Sequence, residues 1–192
     1  MAQSRVAKEV ILVPGYGANP GSDWFPWLSR SINDEIGIPV TTVKMPTPKI
    51  PRLAKWLSAL KSQSGNVDQN SYFIAHSLGC VTLLRFIESL PDDTRIGGVI
   101  LVSCFDEPLR LLPIVNSFTA VQPDYDAIVR RVGKAIVFSS TSDILVPMRL
   151  SEKVRDSLRA DYVQIPDAGH FSAFDGYTKF PQLFDAFNKM IS

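Results

Sequence analysis

The chain has 192 residues, a formal net charge of +1 and a hydrophobic content of 45%. This length predicts a single domain over residues 1–192, and the near-zero charge excludes a field that would recruit nucleic acid or an anionic membrane. No apolar run approaches the roughly 20 residues that cross a bilayer, and residues 1–8 lack the apolar core of a signal peptide. The two cysteines, Cys80 and Cys104, have no metal-type spacing. We therefore expect a cytoplasmic protein with buried thiols, no metal and no cofactor.

Six short apolar runs rich in β-branched residues predict buried strands. They are Glu9–Val13, Val40–Val43, Tyr72–Ala75, Gly98–Val102, Ala135–Phe138 and Tyr162–Ile165. A helical pattern follows each run, at Trp24–Ile36, Leu53–Gln63, Leu78–Leu90, within Pro123–Arg131, at Pro147–Leu158 and at Lys179–Ile191. Strands that alternate with helices predict an α/β fold, with a parallel sheet covered by helices on both faces.

A glycine-rich loop, Pro14–Gly21, follows the first predicted strand. Its glycines would allow the backbone to approach a ligand closely. One interpretation is a phosphate-binding turn, but the loop lacks both the dinucleotide-binding spacing and the Gly-Lys-Ser/Thr ending. The other interpretation is an oxyanion loop that donates a backbone N–H, for which we choose Tyr16.

The sequence Ala75-His76-Ser77-Leu78-Gly79 lies between the third predicted strand and the third helix. A serine flanked by small residues at a sharp strand-to-helix turn is typical of a nucleophile elbow. The usual first glycine is replaced here by Ala75, which adds one methyl group. Ser77 is then the nucleophile, and the N–H of Leu78 is the second oxyanion donor. The alternative is an ordinary turn in which the Ser77 hydroxyl caps the helix.

A nucleophilic serine needs a base, and the chain contains two histidines. His76 adjoins Ser77, and neighbours in an extended segment point to opposite sides, so we expect His76 to pack or to form a hydrogen bond behind the elbow. His170 follows the last predicted strand. Ligands bind at the carboxyl ends of parallel strands in such sheets, so His170 is the predicted base.

The acid that orients this histidine is predicted to be Asp143, which follows the fifth strand. A helix cap is the alternative for Asp143, although Val146-Pro147 places the helix start a few residues later. Asp106, after the fourth strand, is the substitute acid. The chain order Ser77, Asp143, His170 is that of α/β-hydrolases.

The segment around 104–132 is predicted to be a short lid-like insertion because it is apolar. Leu109 and Leu112 could form a roof over an acyl pocket, and Trp24 could border its entrance. Equally, the apolar residues of the insertion could simply pack on the sheet. A low roof would favour short acyl or aromatic esters.

The chain resembles the α/β-hydrolases, and more narrowly the small serine-hydrolase family that includes retinoblastoma-binding protein nine and bacterial proteins of the YdeN type. The resemblance rests on Val13–Gly17, Trp24–Leu28, Ala75–Gly79, Ser142–Pro147 and Gly169–Phe171. It implies a compact sheet of six parallel strands in the order 2-1-3-4-5-6. It also implies an oxyanion loop, a nucleophile, an acid and a base at the positions chosen above.

The expected function is hydrolysis of a small carboxylic ester or thioester through a Ser-His-Asp triad and an acyl-enzyme. A small peptidase or amidase would use the same residues. A third possibility is a protein-interaction module on a hydrolase scaffold, because fold and function are separable. The expected partner is a small acyl substrate, not nucleic acid or a membrane, and a protein partner is not defined by the sequence.

Overall fold

The computed structural model describes residues 8–192. The expectation that residues 1–8 lack a signal peptide falls outside this range, except for Lys8. Within the described range, no helix is both long and apolar enough to cross a membrane. Both cysteines are free and buried.

Six strands of the described part of the chain form one parallel sheet. They are β1 (Glu9–Val13), β2 (Val40–Thr42), β3 (Ser71–His76), β4 (Ile96–Val102), β5 (Val132–Ser140) and β6 (Asp161–Ile165). Their spatial order is β2-β1-β3-β4-β5-β6, and all neighbouring pairs are parallel. The predicted α/β fold and strand order are therefore confirmed.

Within residues 8–192, six α-helices flank the sheet. They are α1 (Phe25–Ser31), α2 (Leu53–Ser64), α3 (Leu78–Glu88), α4 (Tyr125–Arg131), α5 (Met148–Leu158) and α6 (Pro181–Ile191). The predicted first helix continues past α1 as a π-helical turn, Ile32–Ile36, and ends at Gly37 with φ +77°. Glycine suits this end because left-handed φ carries no Cβ penalty there.

Strand β5 begins three residues earlier than its apolar run predicts. Gly133 and Lys134 have low strand propensity, but they extend the ladder with β4, where Gly98 pairs with Lys134. A Cβ on Gly133 would lie 2.6 Å from the carbonyl oxygen of Gly97, so the two chains approach too closely there for a side chain. Tertiary pairing thus overrides the local propensity.

Each face of the sheet has its own apolar core. Along β3, Phe73 and Ala75 face the core beneath α2, α3 and α5, whereas Ile74 faces the core beneath α1 and α6. This alternation follows from the two-residue period of a strand. With helices on both faces, the loops at the carboxyl ends of the strands are left to form a site.

The segment between β4 and β5 contains a 3-10 helix, Pro113–Thr119, followed by α4. Val115 and Phe118 are fully buried, and the ring of Phe118 packs edge-on against Trp56 at 5.5 Å between centroids. Leu111, in contrast, is 52% exposed. Part of this insertion therefore packs on the core and part of it faces solvent.

Candidate active site

The turn between β3 and α3 consists of Ser77 alone. Its φ of +53° and ψ of −121° are rare for a residue with a side chain, and such strain is typical of functional turns. The Ser77 N–H donates to the carbonyl of Val102 at 2.9 Å, which ties the turn to β4. The hydroxyl forms no capping bond to α3. The alternative in which Ser77 caps this helix is therefore wrong.

Close backbone packing explains the small residues around Ser77. A Cβ on Gly79 would clash with the carbonyl oxygen of Val13, and a Cβ on Gly15 would lie 3.0 Å from the carbonyl oxygen of His76. Ala75 is completely buried, so its methyl group fits where the usual elbow has glycine. The loop after β1 and the elbow consequently lie in direct contact.

Three side chains from three loops form a continuous chain of hydrogen bonds. His170 Nε2 lies 3.0 Å from Ser77 Oγ, and His170 Nδ1 lies 2.8 Å from Asp143 Oδ2. A carboxylate can only accept, so Nδ1 carries the proton and Nε2 is free to accept from the serine. The structure thus brings together the three residues that the sequence selected, in a geometry suited to general-base activation of a hydroxyl.

The carboxylate of Asp143 is buried and fixed. Its Oδ1 accepts from the backbone N–H groups of Leu145 and Val146 at 3.0 and 2.9 Å. Burial raises the pKa of this carboxyl, but the hydrogen bond and charge of His170 and the N–H of Val146 outweigh burial, so the pKa lies below its ordinary value. Asp143 therefore organises its own loop and also holds His170. It does not cap α5, whose N-cap residue is Pro147, so the capping alternative is wrong.

His170 is held through its backbone by Asp175, a residue that the sequence analysis did not identify. Asp175 Oδ2 accepts from the His170 N–H at 3.0 Å and from the Ser172 N–H at 3.1 Å. Ser172 and Asp175 form a capping box around the 3-10 turn Ala173–Asp175. The signal was present as a serine followed three residues later by an acid.

His76 is buried and does not contact the hydroxyl of Ser77. Its Nε2 lies 2.8 Å from the backbone carbonyl of His170, which can only accept, so Nε2 carries the proton. Burial, with a smaller contribution from the charge of His170, lowers the pKa of His76 to about 3. His76 is therefore a neutral donor that holds the backbone of His170.

Asp106, the substitute acid, is fully buried but lies in a different cluster. Its Oδ2 accepts from the Tyr125 hydroxyl at 2.9 Å, and its Oδ1 lies 3.2 Å from Lys153 Nζ. Neither oxygen forms a hydrogen bond to His170. Asp106 joins the insertion to α5 instead.

The family model for serine hydrolases matches residues 10–189, which is nearly the whole described chain. The chain belongs to the serine hydrolase family. YdeN of Bacillus subtilis (strain 168) is 33% identical over 187 residues, which cover 97% of this chain and 98% of YdeN. The serine hydrolase RBBP9 of Rattus norvegicus is 24% identical over 191 residues, with 96% of each chain covered.

Solved structures show the same fold for this serine hydrolase. The crystal structure of the YdeN gene product superimposes with a TM-score of 0.93 at 32% identity, covering 96% of this chain and 99% of that one. Est1E of Butyrivibrio proteoclasticus, with ferulic acid bound, superimposes with a TM-score of 0.71 at 16% identity, covering 96% and 88%. The second similarity shows the fold alone.

A cavity of about 360 Å³ opens at Ser77 in this serine hydrolase. Leu112 lines it, as the sequence analysis expected. Trp24 and Leu109 do not line it, and this part of the prediction is corrected. Trp24 is fully buried and donates its indole N–H to the carbonyl of Phe171, and Leu109 is 2% exposed within the core.

The lining also includes side chains that the sequence analysis did not identify, among them Lys49, Leu145 and Phe174. A larger cavity of about 560 Å³ lies against α6, but none of Ser77, Asp143 and His170 lines it. Cavity size alone would therefore have selected a place without these three residues.

Two backbone N–H groups near Ser77 are candidates for an oxyanion site, those of Tyr16 and Leu78. Tyr16 lines the cavity, and Leu78 is the first residue of α3. Within residues 8–192, neither N–H donates a hydrogen bond. The first N–H groups of a helix have no partner within the helix, so that of Leu78 is free to bind a negative oxygen.

Proposed function

We propose that this serine hydrolase cleaves small carboxylic esters or thioesters through an acyl-enzyme on Ser77. The observation that carries the proposal is the chain of hydrogen bonds from Ser77 Oγ through His170 to Asp143, with 3.0 Å and 2.8 Å between the heavy atoms. This arrangement supplies a nucleophile, a base and a group that orients the base.

In the first half-reaction, Ser77 Oγ bonds to the carbonyl carbon of the substrate and its proton passes to His170 Nε2. Asp143 stabilises the imidazolium that results. Collapse of the tetrahedral intermediate breaks the bond to the leaving group, which takes the proton from His170. Water then attacks the acyl-Ser77 ester with the same proton transfers, and the carboxylic acid leaves.

The oxyanion of each tetrahedral intermediate would be bound by the N–H groups of Tyr16 and Leu78. Both N–H groups are without a hydrogen-bond partner in residues 8–192, and both lie beside Ser77. Each such donor contributes about 3–4 kcal/mol to transition-state stabilisation in serine hydrolases.

The cavity favours a small substrate with an apolar group. Its volume is about 360 Å³ and Leu112, Leu145 and Phe174 line it. Phe174 is fully exposed, so an apolar substrate group that extends out of the cavity would pack against its ring. Est1E, which shares the fold, holds the aromatic acid ferulic acid. Because both cysteines are free, we further propose the reducing cytoplasm as the location.

The test is hydrolysis of p-nitrophenyl acetate by the wild-type chain, by Ser77→Ala and by a control, Ser89→Ala. Ser89 lies at the far end of α3 from the elbow, where its hydroxyl donates to Phe86. We expect Ser77→Ala to lose at least about 10⁴-fold in kcat and Ser89→Ala to retain its activity.

Equal activity of Ser77→Ala and the wild type would contradict the proposal. A wild type that cleaves thioesters or aminoacyl amides far faster than esters would retain the mechanism and change the substrate class. A folded wild type without activity on any of the three would favour the interaction module.

A further inference from the structure

Ser103 is a buried serine that the mechanism above does not use. It follows β4 directly, is 1% exposed, and donates its hydroxyl to Asp143 Oδ2 at 2.7 Å. Asp143 Oδ2 is the same oxygen that faces His170. Ser103 and Ser77 thus end neighbouring strands and lie at opposite ends of one hydrogen-bonded chain.

The hydrogen bonds of Asp143 form a complete set. A carboxylate has about four acceptor positions, and four donors occupy them here. They are the N–H groups of Leu145 and Val146 on Oδ1 and the side chains of His170 and Ser103 on Oδ2. Without the Ser103 hydroxyl, His170 would be the only hydrogen-bond partner of Oδ2. The oxygen that has to orient His170 would then be held in place by His170 alone.

The backbone of Ser103 is strained. Its φ is +49°, in the left-handed region that favours glycine. Its N–H donates to the carbonyl of Phe138, so the conformation is fixed between β4 and β5. A glycine would relieve the strain, but a glycine has no donor for Asp143.

We propose that Ser103 is a positioning residue for the serine hydrolase reaction, acting through Asp143 on the orientation of His170. The inference rests on the proposed function, since it concerns the same triad. Ser103 does not touch the substrate, so its removal should lower kcat and leave KM nearly unchanged. A hydrogen bond to a charged group of this kind corresponds to roughly 10- to 100-fold in kcat.

Four forms of the protein separate a positioning role from a merely structural one. Ser103→Ala and Ser103→Gly both lack the hydroxyl, but the glycine variant loses the strain and should melt at a higher temperature than the alanine variant. Ser103→Thr keeps a hydroxyl in a more strained backbone, because Thr is β-branched. We expect kcat to depend on whether residue 103 carries a hydroxyl. It should be high in the wild type and in Ser103→Thr and low in Ser103→Ala and Ser103→Gly, whatever the order of their melting temperatures.

A double-mutant cycle with Asp143→Asn adds an independent check. If Ser103 acts through Asp143, Ser103→Ala should cost far less in the Asp143→Asn background than in the wild type. Labelling of Ser77 by a fluorophosphonate should slow in the same order as kcat. A wild type that neither labels nor turns over would refute the proposed function. The role of Ser103 would be overturned in either of two cases, provided that the wild type is labelled and turns over the ester. In the first case Ser103→Ala and Ser103→Gly have the kcat of the wild type. In the second case kcat follows the melting temperature of the variants.

Discussion

The segments that follow β4 and β5 each bury an aspartate, yet the two carboxylates have different neighbours. Asp143 faces His170 and two backbone N–H groups, whereas Asp106 faces a tyrosine hydroxyl and Lys153, which is itself 42% exposed. Residue type, burial and position at the carboxyl edge are alike. The partner of each buried carboxylate, more than its burial, therefore distinguishes Asp143 as the candidate acid.

Neutralising each aspartate in turn separates the roles of the two carboxylates. Asp143→Asn removes the charge that fixes the His170 tautomer and stabilises its imidazolium, so we expect kcat to fall by about 10³- to 10⁴-fold. Asp106→Asn should keep kcat near the wild-type value and lower the free energy of unfolding by about 1–3 kcal/mol. Esterase kinetics and urea denaturation of both variants measure the two effects, and a large loss of kcat in Asp106→Asn alone would make Asp106 the acid.

A second prediction concerns His76, the neutral histidine that donates to the backbone carbonyl of His170. Its pKa of about 3 lies below the unfolded value of 6.5, so the unfolded chain binds the extra proton first and stability falls as the pH drops below 6.5. By pH 5 the loss is about 2 kcal/mol. The carboxyl of Asp143, whose pKa is lowered from 3.8, contributes to acid unfolding only at lower pH.

Urea denaturation at pH 7 and pH 5 tests this for the wild type and for His76→Phe. The variant loses the bond to the His170 carbonyl and should be less stable at pH 7, but its stability should change less between the two pH values. An identical pH dependence in both proteins would show that His76 does not titrate as inferred.

The smallest expected effect is at Phe174, which faces solvent at the mouth of the cavity. Phe174→Ser should lower kcat/KM for p-nitrophenyl octanoate by about 3- to 10-fold more than for the acetate, because an apolar chain loses its contact. Val121→Ser is the matched control, since Val121 is 63% exposed and does not line the cavity. If kcat/KM fell equally for both esters, Phe174 would have no role in the preference for acyl-chain length.

Much of the fold could be predicted because buried strands appear as apolar runs. Ser77, Asp143 and His170 could be selected for a related reason, since residues that follow parallel strands meet at one edge of the sheet. Ser103 follows β4 in the same way, but nothing in the sequence shows which of several serines points at a carboxylate.

The pocket was harder to predict from sequence because apolarity does not reveal direction. Trp24 and Leu109 are apolar residues near the site in the chain, and both point into the core. Phe174 is apolar too, yet its 3-10 turn holds it in solvent. Long-range packing decides whether each of these side chains is buried or exposed, and the sequence around each residue does not show it.

We propose above that Ser77 is a nucleophile activated by His170. The most direct test is to treat the wild-type chain, Ser77→Ala and Ser89→Ala with a fluorophosphonate and map the adduct by mass spectrometry. We expect one phosphonyl group on Ser77 in the wild type and in Ser89→Ala, and none in Ser77→Ala. An adduct on another residue, or an unlabelled wild type that is folded, would contradict it.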